Sequence, residues 1–309
     1  MNTIVKAAAI AVAFTGFSIA QASEPAPTLI YHPYPGEELD SEQSANIDAY
    51  LASLSPLQGE VALVGPKATL NIPSSHYFLD SQDARSVLEE GWGNPPDETV
   101  LGMIFPAGAS PLDSDAWGAT INYSDDGYVT DEDANDIDYS EMMRDLQKSQ
   151  IEVNEWRTEN EYEPVEIIGW AESPAYNPDT HKLFWAKELK FGAAEQNTLN
   201  YDIRVLGRSG ALVIGFVASM DQLAEIRQAT PTVLEMAQFD LGSTYAEYQP
   251  GVDKKAAYGI AGLIGGAAIA KKTGLLAALL IFGKKFIVII IAGFAAMVGA
   301  VKRFFMGDK

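Results

Sequence analysis

The chain has 309 residues, 42 acidic and 21 basic side chains, a formal net charge of −21 and no cysteine. That balance excludes nucleic acid as a partner, because a phosphate backbone would be repelled. The missing thiols exclude disulfides, zinc thiolates and a cysteine nucleophile.

In chain order, residues 1–22 have the pattern of a secretory signal peptide. Lys6 supplies a short positive region, Ala7 to Ile19 an apolar run too short to span a bilayer, and Ala20-Gln21-Ala22 a small-x-small cleavage site. Residues 23–58 are a leader with prolines at 25, 27, 33 and 35, then a short helix. Asp40 with Gln43 makes a capping box, and Ile47, Tyr50, Leu51 and Leu54 follow at helical spacing. Residues 59–250 are the exported domain. Val61 to Val64 and Ala68 to Ile72 are predicted strands around a Gly65-Pro66 turn. Asp80 is placed to cap a helix with Asp83 in its first turn, Leu79 and Ala84 as a hydrophobic staple and Gly91 as the left-handed residue after it.

Thr99 to Phe105 and Ala116 to Tyr123 are predicted strands, and Asp126-Gly127 a turn. A longer helix is predicted from Tyr139 to Glu159, opened by Asp138 and Glu141, with Met142, Met143, Leu146, Val153 and Trp156 as its buried stripe. After Pro164 come four predicted strands: Val165 to Trp170, Lys182 to Phe191, Leu199 to Leu206 and Ala211 to Ala218. Leu199, Tyr201, Ile203 and Val205 alternate with Asn200, Asp202 and Arg204, the period-two pattern of a half-buried strand. Asn177-Pro178-Asp179-Thr180 and Arg208-Ser209-Gly210 are turns between them, so this quarter is expected to be an antiparallel meander. Ser219 with Gln222 caps a last helix that Pro231 is expected to kink or break. Strands in hairpin order with helices before and after them give an α+β class, an antiparallel sheet flanked by helices.

The charge then reverses. Residues 23–253 carry 41 acids against 11 bases, whereas residues 254–309 carry 9 bases against 1 acid. Residues 251–285 are glycine- and alanine-rich, interrupted by Lys271-Lys272, and are expected to form interfacial helices. Phe286 to Val301 is sixteen residues without a charge, between Lys284-Lys285 and Lys302-Arg303. With the flanking cations snorkelling, residues 286–305 reach the length of a C-terminal transmembrane helix. A two-span hairpin turning at Lys284-Lys285 is the alternative. Small-residue stripes at Gly262, Gly266 and Ala270, and at Ala292, Ala296 and Ala300, suit close helix packing and hence a homo-oligomer.

Gly59-Glu60-Val61, Phe78-Leu79-Asp80, Gly91-Trp92-Gly93-Asn94-Pro95-Pro96, Gly102-Met103-Ile104-Phe105-Pro106, Asp126-Gly127-Tyr128-Val129, Gly169-Trp170-Ala171, His181-Lys182-Leu183-Phe184-Trp185-Ala186, Val205-Leu206-Gly207-Arg208 and Ala257-Tyr258-Gly259 resemble, in that order, a family of uncharacterised bacterial membrane-anchored proteins, domain of unknown function 2167. The resemblance implies a signal peptide, an exported domain and a C-terminal membrane segment, and carries no activity or site residues. The element order is also similar to the Mog1/PsbP sandwich, an antiparallel sheet between helices.

Candidate chemistry is sparse. In the acidic run Asp125 to Asp138, Asp131, Asp133 and Asn135 match the first three ligand positions of a calcium loop, but the glycine position holds Asp136 and the final glutamate position Met142. A solvated loop and helix cap is the preferred reading, with no cofactor, and calcium is the minor alternative. Trp92, Asn94, Pro95 and Pro96 form a rigid loop that either pins itself to the core, the preferred reading, or presents an interaction surface. His32, His76 and His181 stand apart, Ser209 lacks the last glycine of a nucleophile elbow, and no phosphate-binding glycine loop is present. The sequence is therefore read as a non-enzymatic binding or scaffolding module. It is expected as a single-pass protein of the bacterial inner membrane, its domain in the periplasm, with membrane lipid and an envelope protein as partners. The alternative is an envelope hydrolase whose carboxylates are brought together by the fold.

Overall fold

The computed structural model describes residues 27–33, 36–94, 96–113, 116–159, 162–194 and 196–266. The expected signal peptide and the segment 286–305 lie outside them. Among the described residues, no helix is long and apolar enough to cross a membrane.

Helix α1, Ser41–Ser53, begins where the local chemistry places it. Asp40 Oδ1 accepts from the N–H groups of Glu42 and Gln43 (2.9 Å each), and Gln43 Oε1 accepts from Asp40 N (2.9 Å). Two of the helix's open N–H groups are thereby satisfied. Strands β1 (Gly59–Leu63) and β2 (Ala68–Ile72) form a hairpin. Strand β3, His76–Asp80, replaces what the sequence offered only as the approach to a helix. Four of its five residues are buried, so it shows no alternation to read. Helix α2, Ser81–Ser86, follows, capped by Asp80 Oδ1 on Gln82 N (2.9 Å) and Asp83 N (3.1 Å). It widens into a π turn, Val87–Gly91, and Gly93, not Gly91, takes the left-handed conformation with φ 67°. The π turn absorbs the residues that a plain helix end would have left for Gly91.

Strands β4 (Gly102–Pro106), β5 (Gly118–Ser124) and β6 (Tyr128–Thr130) precede helix α3, Tyr139–Glu159. Asp138 caps α3 through Ser140 N and Glu141 N (2.9 Å each). The expected stripe holds at Met142 and Met143 but not at the far end, where Trp156 is 46% exposed and Arg157 is 2% exposed. The inward side of the last turn meets loop backbone: Arg157 Nε donates to the Glu163 carbonyl (2.6 Å), while Trp156 stacks outside on Tyr162 (5.9 Å).

Strands β7 (Val165–Asn177), β8 (Lys182–Phe191), β9 (Thr198–Leu206) and β10 (Ala211–Ser219) make the expected meander. β7 runs well beyond Trp170 because bulges let it follow β8 to its end. The seven-stranded sheet has the order β3-β4-β5-β10-β9-β8-β7, antiparallel throughout. Helix α4, Leu223–Met236, runs unbroken through Pro231. Strand β11, Ala237–Phe239, joins β2, giving a second sheet β1-β2-β11. Of the segment expected as interfacial helices, Lys255–Gly259 form strand β12, parallel to β6, and Ile260–Gly265 a short helix, α5. Gly266 lies past the end of α5 with φ 51°, and a Cβ at Gly262 would stand 2.5 Å from Tyr258 Cβ. The first small-residue stripe is thus interrupted, and its first glycine packs within the domain.

The main core lies between one face of the large sheet and the layer of α4 and the small sheet, with Ile203, Ile214, Phe216, Leu70 and Ile226 at its centre. The opposite face is covered in two places. At the β3–β4 side, Tyr77, Leu79, Met103 and Phe105 pack with Ile47, Leu51, Val87 and Trp92. At the β7–β8 side, Leu183, Trp185, Leu189 and Phe191 pack with residues of α3 and α5.

Candidate functional site

Between those two flanks the middle strands carry polar side chains. The alternation in β9 predicts Asn200, Asp202 and Arg204 on a solvated face, yet every residue of β9 is buried. Register fixes their neighbours: Lys187 stands opposite Asn200, Trp185 opposite Asp202, and Asp202 opposite Gly215 on β10, which faces Thr120 on β5. Asp202 lies between two cations. Its Oδ1 accepts from Arg204 Nη2 (3.2 Å), and its Oδ2 is 3.7 Å from Lys187 Nζ, beyond hydrogen-bond range. The Arg204 guanidinium lies over the Trp185 ring at 4.9 Å and donates through Nη1 to the Ile203 carbonyl (2.9 Å).

Three buried atoms of this group, Trp185 Nε1, Asn200 Oδ1 and Asp202 Oδ2, have no hydrogen-bond partner among the described residues. Burial holds the Lys187 amine below the ordinary lysine range, and the Asp202 carboxylate pulls the other way without cancelling it. At Gly215 a Cβ would meet Thr120 Oγ1 at 3.4 Å and nothing else within 4 Å among the described residues, so there is room beside Asp202.

The residues singled out from sequence go elsewhere. Trp92 is buried, donates from Nε1 to the Pro111 carbonyl (2.8 Å) and packs edge-on against Phe105. Asn94 Nδ2 donates to the Leu88 carbonyl (3.1 Å), Pro96 is exposed, and Pro95 lies outside the described residues. In the acidic run, Asp131 Oδ2 accepts from the Tyr176 hydroxyl (2.7 Å) and Asp133 accepts from Ile260 N (2.9 Å) and Ala261 N (3.0 Å). Asn135 is exposed. Asp131 and Asp133 therefore serve two different elements, and no group of three or more metal-ligating side chains forms among the described residues.

His181, in the left-handed conformation with φ 52°, stacks on Tyr245 (4.1 Å) and lies 3.1 Å from the Tyr176 hydroxyl. Tyr245 also stacks on Tyr128 (4.5 Å), and burial raises both phenols. This aromatic group ties β6, the β7–β8 turn and the 245–248 turn together. His32 Nδ1 reaches buried Asp113 Oδ2 (2.8 Å) and fastens the leader, while buried His76 packs against Trp117 with the rings tilted by 51° at 5.8 Å. The Trp185, Lys187, Asn200, Asp202 and Arg204 group was missed because alternation alone reads as a wet face. The available signal was topological: in a four-strand meander the third strand has neighbours on both sides, and polar residues there are enclosed if anything covers that face.

Fold and site together define an antiparallel α+β domain with an ionic group built into one face of its main sheet. The chain belongs to the family described as protein of unknown function (DUF2167), whose sequence profile matches residues 55–295. No curated protein matches it. Among solved structures it is similar to the cyanobacterial PsbP (CyanoP) of Synechocystis, at 11% identity and TM-score 0.34, covering 61% of this chain and 94% of that one. It is also similar to the Ran-binding protein Mog1p of Saccharomyces cerevisiae, at 12% identity and TM-score 0.32, covering 64% and 100%. Neither likeness bears on function.

Proposed function

We propose that this protein is a membrane-tethered binding module of the bacterial cell envelope, exported by residues 1–22, anchored in the inner membrane by residues 286–305, and holding an envelope partner without chemistry of its own. The observation that carries this reading is the charge reversal. An acidic domain is followed from Lys254 by 9 bases against 1 acid around a sixteen-residue uncharged run. Apolar length with flanking cations suits a bilayer with anionic headgroups and orients the C-terminus to the cytoplasm. The acids of the 125–138 run support the binding role over a hydrolase. Asp126 accepts from Ser124 and Tyr258, Asp131 from Tyr176, Asp133 from the start of α5, and Asp138 from the start of α3, all as structural acceptors.

Fractionation tests the tether. The full chain is expected in the membrane pellet after an alkaline carbonate wash, and a chain stopped after Gly266 in the soluble periplasmic fraction. If both are soluble, or both stay with the pellet, residues 267–309 are not the anchor.

A further inference from the structure

We infer that Trp185, Lys187, Asn200 and Asp202 form a binding site for a hydroxyl-rich small molecule, a sugar or related polyol. The four side chains occupy the corners of one square on the sheet: Trp185 and Lys187 on β8, Asp202 and Asn200 opposite them on β9. Three of the four, Trp185, Asn200 and Asp202, are more than nine-tenths buried, and each has a polar atom without a hydrogen-bond partner among the described residues. Such atoms are rare singly. Among the described residues Trp185 Nε1 and Asn200 Oδ1 have no partner, and Asp202 Oδ2 has only the ion pair with Lys187 Nζ at 3.7 Å. Their gathering in one square is the mark of a group that belongs between them.

The chemistry of the orphans selects the ligand. Trp185 Nε1 can only donate, and so can the Lys187 ammonium, whereas Asp202 Oδ2 and, as oriented, Asn200 Oδ1 can only accept. A metal ion would face two donors without lone pairs, and a bare anion would leave both acceptors unpaired and lie against the Asp202 charge. A hydroxyl gives its hydrogen to an acceptor and takes one from a donor, so vicinal hydroxyls meet both demands. Water does so as well, so a square filled by water alone is one of the outcomes of the test. Gly215 leaves space beside Asp202, and the exposed fraction at this group lies at Lys187 and Arg204, whose side chains are 14% and 11% exposed. The face of the Trp185 ring is taken by Arg204, so the indole offers its N–H edge.

This inference deepens the binding-module reading and rests on it, but its test uses purified protein and is independent of where the chain is anchored. The full chain is purified in an amine-oxide detergent with no sugar headgroup. Saturation-transfer NMR is then recorded against glucose, N-acetylglucosamine and myo-inositol, with sodium phosphate and sodium acetate followed in parallel by thermal shift. The expected result is saturation transfer to at least one polyol, weakened at least tenfold in affinity by Asp202→Asn and by Trp185→Phe, with no thermal shift from phosphate or acetate beyond that of sodium chloride. Trp185→Phe removes a donor that bonds nothing among the described residues but also trims a buried ring that packs in the core beneath Arg204. Thermal unfolding of both variants is therefore recorded, and affinities are compared at a temperature where each is folded. No transfer to any of the three polyols, binding of the anions in their place, or polyol binding that survives both substitutions would each overturn the inference. So would a crystal structure with only waters in the square after soaking in the same polyols.

Discussion

Asp202 is 5% exposed and lies between Lys187 and Arg204, whose own side chains are 14% and 11% exposed. A carboxylate shared by two buried cations contributes little net stability against an apolar replacement of the whole group, but removing it alone leaves two like charges enclosed together. Asp202→Asn is expected to destabilise the protein by about 3–5 kcal/mol in chemical denaturation. A loss under about 1 kcal/mol would mean that the cations are solvated, as at exposed ion pairs. Lys187 supplies a pH signature. Its native pKa lies below the ordinary 10.5, so between those two values the unfolded chain binds more protons than the folded one and stability rises with pH. The stability of wild type minus that of Lys187→Met should therefore climb through that window and level off above 10.5. A flat difference would show an amine as well hydrated as in the unfolded chain.

Two glycines mark where the backbone is crowded and where it is not. A Cβ at Gly102 would stand 2.1 Å from Phe78 Cζ and 2.5 Å from the Leu79 carbonyl, whereas one at Gly169 would meet nothing within 4 Å. Gly102→Ala is expected to cost about 1–3 kcal/mol or more by overpacking. Gly169→Ala should be neutral or stabilising by up to about 1 kcal/mol, through the unfolded chain. Equal melting temperatures for the two variants would contradict the packing of β3 on β4.

Among the elements, those set by neighbouring residues were legible and those set by distant ones were not. Asp40, Asp80 and Asp138 announce their helices because capping is a contact over two or three residues. The meander was legible because each turn carries its own chemistry, such as Asn177 Oδ1 accepting from Asp179 N (2.9 Å) and Thr180 N (3.2 Å). Strand β3 was not, since a short run buried on both faces has no period. β11 and β12 are short and exist through partners far away in sequence. Trp156 and Arg157 exchanged places because helical period defines a stripe, not what the stripe meets. The enclosed polar row was hidden for the same reason: alternation reports two faces, and only tertiary structure decides what covers the second.

The acidic loop before α3 gives a prediction at this scale. A cation bound by Asp131 and Asp133 would compete for their charge with the Tyr176 hydroxyl and with the N–H groups that open α5. Millimolar calcium and magnesium are expected to raise the melting temperature by similar small amounts, and sodium chloride at matched ionic strength to reproduce most of the effect by screening. A shift with calcium alone, lost in Asp131→Asn with Asp133→Asn, would make the loop a metal site.

At the scale of the whole molecule, the fold stacks α4 and a small sheet on one side of a seven-stranded antiparallel sheet, and α1, α2, α3 and α5 on the other. The family match over residues 55–295 takes in both this domain and most of the basic, apolar tail. We propose that the two act together, the acidic domain outside the cytoplasm and the tail as a single span with its cationic end inside. Alkaline phosphatase, active only after export, tests that topology when fused in separate strains after Gly266 and after Lys309. Activity is expected from the first fusion and silence from the second. Activity from both would contradict a single span, and silence from both would contradict export.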